Sequence, residues 1–228
     1  MRYYILRASR NRKEVGAKPQ SQNCIFGDIQ KDFIPKEGII DFDFKLPEPI
    51  LEKKAKQTSM ISVVAIPKLF LVIEDSLLSF LKKFKIGNYQ DWKIKTWQSK
   101  QLIEKYNLFL INDTKQAEYI DFENSEFYIG SYKDYKWEGD NINVLNHKDI
   151  LESERTLKEE NLLLKAKKIV LNFSNVSEDL FRMGYVVPVI GTVGYFVSEK
   201  LKTAIEDNGF TGMEFIEVSE LDKVEVIY

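Results

Sequence analysis

YFVSEKLKTAIEDNGFTGMEFIEV (195–218) decides the fold, because a second version of it stands earlier in the chain. Tyr195-Phe196-Val197 is aromatic and branched, as a short buried strand requires. Ser198 follows, a side-chain oxygen placed to accept from the free N–H groups of the next turn. Leu201, Ala204 and Ile205 have the i, i+3, i+4 spacing that gathers them on one helical face. Gly209 can take the left-handed conformation that ends such a helix, with Phe210 folding back over it. Gly212 permits a tight turn, and Met213–Val218 reads as a return strand. The unit is strand, short amphipathic helix, strand.

Its earlier copy is LFLVIEDSLLSFLKKFKIGNYQDWKI (69–94). Val72-Ile73-Glu74 lies over Val197-Ser198-Glu199, and one residue of slip brings Leu77 and Leu81 onto Leu201 and Ile205. Ile73 then replaces the capping serine, so this helix is expected to start at Asp75 or Ser76. Leu77, Leu78, Phe80, Leu81 and Phe84 form a wider apolar stripe, which predicts a more deeply buried helix.

With 228 residues, 44% hydrophobic and 30% charged, the chain can bury a large core. A net charge of −2 excludes a general nucleic-acid binder that works through overall basicity. A single cysteine, Cys24, forms no internal disulfide and favours a reducing compartment. The first residues, MRYYILRASRNRK, hold too short an apolar run for a signal peptide. No stretch reaches the ~20 apolar residues that span a bilayer. A cytoplasmic protein is expected, without membrane or nucleic-acid partners.

Along the chain, Tyr3–Leu6 reads as a strand and Asn11–Gln22 as a polar loop. Cys24–Phe26 is a brief pairing segment, and Ile39–Phe44 a short edge strand between prolines. Glu52–Ser59 is a short helix or linker, and Ser62–Ile66 a branched run. Trp97–Tyr106 is expected to be helical, and Asn107–Ile111 and Ile142–Leu145 are expected strands. Asp149–Glu160 has helical spacing, while Leu162–Phe173 reads as a strand. Asp179–Arg182 suggests one helical turn, and Val186–Ile190 is broken by Pro188. Short helices among hairpin-length connections argue for an α+β fold with antiparallel or mixed sheets. The chain is read as one domain, divisible into lobes at 1–113 and 114–228.

Chemistry-bearing residues are few. His147 is the only histidine and has no partner pattern, so a surface or structural role is favoured. Cys24 lacks a basic cluster that would lower its pKa and reads as a small, partly buried residue. One His and one Cys build no ordinary zinc site, and no cofactor motif stands out. An all-carboxylate Mg²⁺ site stays open among 35 acids. Gly191-Thr-Val-Gly194 lacks the P-loop lysine and reads as a tight turn. Ser198 has no G-x-S-x-G around it and is a cap.

Charge is segregated. Lys82–Lys105 carries a balance of +5 and Glu118–Asp140 a balance of −5. The acidic segment also holds seven aromatics: Tyr119, Phe122, Phe127, Tyr128, Tyr132, Tyr135 and Trp137. One reading is a β-hairpin with alternate aromatics buried. The other is an interface, with Tyr119, Tyr128, Tyr132 and Trp137 as anchors and Asp121, Glu123, Glu126 and Glu138 steering a basic partner.

FRMGYVVPVIGTVGYFVSEKLKTAIEDNGFTGMEF (181–215) resembles the C-terminal signature of immunity family eleven of bacterial polymorphic-toxin systems. INVLNHKDILESE (142–154) is similar to that family's central stretch, with Asp149 and Ser153 in the matching places, and the half-repeat at 69–94 is also typical. The likeness is specific over 142–215, weaker over 60–112 and absent from the first sixty residues. It implies a non-enzymatic cytoplasmic antidote that binds and blocks a protein toxin without a cofactor. A carboxylate-site metal-dependent hydrolase and a homodimeric interaction scaffold are the alternatives.

Overall fold

The computed structural model describes residues 1–25, 34–35, 37–131, 139–183 and 194–228. The fold is α+β, with antiparallel and mixed sheets and mostly short helices. Its first sheet has six strands: β2 (Ser21–Ile25), β3 (Glu48–Leu51), β4 (Met60–Ile61), β5 (Leu71–Glu74), β6 (Tyr89–Gln98) and β7 (Gln101–Ile111). Their spatial order is β2-β3-β6-β7-β5-β4. Ser21 of β2 bridges Val63 just beyond β4, so the two edges of the sheet meet. Gln20 seals the join, accepting from the Ser62 amide at 3.0 Å and donating to Lys56 O and Thr58 Oγ1 at 2.8 Å each. Inside lie Leu51, Ile61, Val72, Ile94, Tyr106, Leu108 and Leu110, all buried. Closure removes the exposed strand edges that would otherwise invite pairing with another chain.

The second sheet has the order β11-β12-β1-β13, from β1 (Tyr3–Ala8), β11 (Leu180–Arg182), β12 (Tyr195–Ser198) and β13 (Met213–Glu217). It repeats β4-β5-β7-β6 strand for strand and direction for direction. Helix α2 (Asp75–Leu81) follows β5, and α5 (Glu199–Asp207) follows β12. The copies align without a gap at a constant spacing of 124 residues, from Leu71 on Tyr195 to Lys93 on Glu217. The one-residue slip of the sequence alignment is thereby removed. Glu74, not Ile73, stands opposite Ser198 at the helix cap. Ser198 Oγ accepts from Leu201 N at 3.1 Å, as expected of a cap. The first helix starts at Asp75 and buries Leu77, Leu78 and Leu81 against Leu201 and Ile205 in the second, in keeping with its wider stripe.

Equivalence extends to single hydrogen bonds. Tyr106 opposes Glu74 and Tyr3 opposes Ser198. The Tyr106 hydroxyl donates to Thr58 O at 2.9 Å, and the Tyr3 hydroxyl to Glu178 O at 3.0 Å. The next residues, Ser59 and Asp179, both accept from the cap residue's amide at 2.8 Å. Only the connectivity differs. The central strand of the first unit, β7, follows β6, whereas that of the second is the N-terminal β1. The second unit is a circular permutation of the first.

The units pack face to face through one apolar cluster: Met60, Leu71, Ile73, Leu77, Leu81 and Phe109 against Leu180, Tyr195, Val197, Leu201, Ile205 and Leu6. Every residue of the first set is the structural equivalent of its counterpart in the second. Equivalent residue pairs join the units on both sides, Met60 N donating to Thr211 O at 3.0 Å and Gly87 N to Leu180 O at 3.2 Å, with donor and acceptor exchanged between the two. That is the pattern of an isologous contact within one chain. Gly212 makes the close approach possible. Its φ is +88°, and a Cβ there would lie 2.0 Å from Met60 O.

A third sheet, of order β14-β10-β8-β9, covers the far face of the second unit. It comprises β8 (Ile120–Ser131), β9 (Asn141–Ile142), β10 (Leu162–Asn172) and β14 (Val224–Ile227). Helix α4 (His147–Glu159), capped by Asn146, packs on β10. The enclosed core includes Tyr3, Ile5, Phe173, Phe181 and Phe196, with Phe181 and Phe196 stacked at 5.1 Å.

Several local expectations are corrected. Trp97–Tyr106 is not helical: Ser99 and Lys100 take φ of 50° and 68° and turn β6 into β7. Asp179–Arg182 forms no helical turn, because Leu180–Arg182 pairs with β12. Ile39–Phe44 forms no strand: the Gln90 side chain takes both the N–H and the C=O of Ile40. The expected loop at 11–22 contains α1 (Arg12–Val15), capped by Asn11, and the start of β2. Ser62–Ile66 contributes only the bridge at Val63, and the strand expected at Ile142–Leu145 is the two-residue β9. Val186–Ile190 and Gly191-Thr-Val lie outside the described residues.

Candidate protein-binding surface

The acidic segment is divided between core and surface. Tyr119 ends α3 (Gln116–Tyr119), just before β8. It is 7% exposed, with its ring 5.1 Å from Phe181 and its hydroxyl donating to Glu178 Oε2 at 2.8 Å. Burial, then the bond to Glu178, pushes this phenol far above its usual pKa. Tyr128 is 8% exposed, on a strand flanked by β10 and β9. Tyr119 and Tyr128, two of the three tyrosines expected as contact anchors, are therefore core residues. Tyr128 sits on an interior strand, which leaves no open edge beside it, and Tyr119 is held in the core by its ring and hydroxyl contacts.

The carboxylates are placed differently. Between the pairs Lys168–Glu126 and Val170–Asp121, two steps of β10 are matched by five of β8, so residues 122–125 bulge outward. Asp121 folds the base of the bulge, accepting from Asn124 N at 3.1 Å and Asn124 Nδ2 at 2.8 Å. Those bonds hold its carboxyl below the usual range. Ser125 Oγ ties the bulge down, donating to Asp121 O and accepting from Val170 N. Glu123 is exposed on the bulge, and exposed Glu126 sits 3.6 Å from Lys167. Lys168 meets Glu225 at 2.6 Å. The strip is thus partly neutralised by β10. Tyr132, Trp137 and Glu138 lie outside the described residues.

The basic segment is interleaved with acids in the same way. Lys82 pairs with Asp91 at 3.3 Å, Lys105 with Glu74 at 3.0 Å and Lys93 with Asp75. Around the two helices, phenylalanine rings and lysines alternate. Phe80 lies 5.2 Å from Phe84 and 5.0 Å from Phe210, and Lys200 lies over the Phe84 ring.

Among the described residues neither His147 nor Cys24 is part of a group of three metal-ligating side chains. His147 opens α4 and lies 3.3 Å from Glu37. Cys24 is half-buried, which pushes its thiol up to about 11. Among the described residues no group of three His, Cys, Asp or Glu side chains is arranged to hold a metal ion, and no helix is long and apolar enough to cross a membrane.

Residue patterning did not single out the charged pair Glu178-Asp179. Asp179 is 5% exposed and binds the two units together. It accepts from Lys85 N at 3.1 Å, from Ser198 Oγ at 2.9 Å and from Lys200 Nζ at 3.2 Å. Burial would raise the Glu178 carboxyl. The bonds from Tyr119, its own amide and Ser177, with Lys115 nearby, outweigh burial and lower it. An Asp next to a strand that receives a capped helix is the only local signal, and it is a weak one.

Compared with known proteins, the chain matches no family model and no curated protein.

Proposed function

We propose that this chain is an immunity protein: a non-enzymatic, cofactor-free binding module that occludes a protein toxin in the cytoplasm. The duplication carries the reading. The resemblance implies two half-repeats, and the chain holds two copies of one strand-helix-strand unit packed face to face. Of the signature residues, Leu201 and Ile205 lie in that internal interface, Gly212 admits Met60 O to it, and Ser198 caps their helix. The job is therefore left to the outer surface, where Glu123 and Glu126 are exposed on the third sheet and suit a basic partner.

The test is co-expression with the C-terminal domain of the large secreted protein expected from the adjacent reading frame. Growth arrest by that domain alone, and growth together with a co-eluting complex when this chain is present, is the expected result. Reversing charge with Glu123→Lys and Glu126→Lys should slow association about tenfold or more at low salt. An adjacent product that is harmless alone, or a purified chain that turns over a substrate, would overturn the proposal.

A further inference from the structure

The two units meet along two seams related by the duplication, and among the described residues only one is filled. In the filled seam the chain leaving β7 runs on across the junction. Thr114 bridges Arg182, Lys115 N donates to Arg182 O at 2.9 Å, and the buried Arg182 side chain donates Nε to Ile111 O at 2.6 Å. In the other seam the equivalent of Arg182 is Ser62 and that of Ile111 is Ala8. Ser62 is turned to Gln20, and the chain leaving β1 bends away at Ser9 into α1. The space that Arg182 and residues 113–115 fill on one side is left on the other as a groove of about 320 Å³.

Its walls are apolar, including Ala8, Met60, Ile61, Val63, Val64 and Phe70, and its cations are Arg7, Arg10 and Lys68. Glu214 is committed to Arg7 through the guanidinium Nε at 2.5 Å. Arg10 is more loosely held, 3.6 Å from Glu214 with its side chain 60% exposed, and Lys68 is exposed. Apolar walls with a few convergent charges are the usual makeup of a small-ligand site.

We infer that this open seam binds a small apolar body ending in one carboxylate, with the body against Val63 and Val64 and the carboxylate at Arg10 and Lys68. A free aliphatic acid and the apolar C-terminal residue of a peptide share that chemistry. The inference does not depend on the immunity reading.

The experiment is a titration of the full chain, followed by methyl resonances of Ala8, Met60, Ile61, Val63 and Val64. Decanoate and an N-acetylated peptide ending in Phe are the two ligands, with decanol and the C-terminally amidated peptide as neutral counterparts. Saturable shifts at these methyls are expected, with the neutral counterpart at least about tenfold weaker because the charged hydrogen bonds are lost. The tighter of the two carboxylates identifies the source. Lys68→Ala and Val64→Glu, both at exposed positions the fold tolerates, should each weaken binding severalfold or more. No shift with either carboxylate, equal affinity for the neutral compounds, or indifference to both substitutions would overturn the inference.

Discussion

Replacing Leu77 or Leu201 by alanine tests the duplicated core most directly. The two side chains are structural equivalents on α2 and α5, 1% and 0% exposed, and belong to one cluster. Each substitution removes buried methyl and methylene groups and leaves a cavity where relaxation is limited by two sheets and a second helix. Such sites lose about 2–5 kcal/mol. Equivalent surroundings place the two losses within about 1 kcal/mol of each other, since the spread at fixed chemistry reflects how far a site can collapse. The assay is urea unfolding followed by circular dichroism and by tryptophan fluorescence, which weights the first unit through Trp92 and Trp97. A single transition with coincident probes is expected in both variants, because the cluster is shared and neither unit can open alone. Two separate transitions would refute the reasoning. So would a large loss for one leucine and almost none for the other.

Gly212→Ala should destabilise by at least about 2 kcal/mol, since φ of +88° is strained for alanine and its Cβ would meet Met60 O; thermal melting checks this. Glu178 is held below its ordinary pKa of 4.5, so folding favours its charged form. That stabilisation is complete above the unfolded value and fades as pH falls through the lower folded value. Glu178→Gln should therefore lose stability at pH 7 and show a shallower loss between pH 5 and 3, read from urea midpoints. Cys24, pushed up to about 11 by burial, should react with iodoacetamide at pH 7.5 many times more slowly than a free thiol; labelling at the free rate would contradict that burial.

The half-repeat was legible because helical spacing and a capping serine are local signals that survive in a single sequence. The Val-x-Glu shared by 72–74 and 197–199 favours a register one residue away from the structural one. Glu74 occupies the cap position without a side-chain cap bond, so the pattern there carries no capping letter. The partner of the N-terminal strand was not legible. Tyr3–Leu6 reads as a strand, but nothing local says that it inserts between β12 and β13, and a contact spanning about two hundred residues leaves no short-range trace. In the acidic segment the obstacle is different. Alternation predicts which residues share a face, and the bulge at 122–125 breaks that alternation. Phe127 and Tyr128 are neighbours on opposite faces of β8, and both are buried.

Permutation and divergence act together. Because β1 completes the second unit while the chain goes on to build the first, the two units are laced to each other by connectivity as well as by packing. Internal interfaces of this kind constrain both copies, which is why Leu77 matches Leu201 and Ile73 matches Val197. Positions outside that constraint are free to differ, and they differ most where the chain leaves the central strands. After β7 the chain crosses to Arg182 and closes the junction. After β1 it turns into α1 and leaves a cavity. The first unit rolls its sheet shut at Ser21 and Val63, while the second is covered by a separate sheet carrying Glu123 and Glu126. Recognition is thus expected where the copies part company, at the open seam and the added sheet, and not on the face that makes them alike.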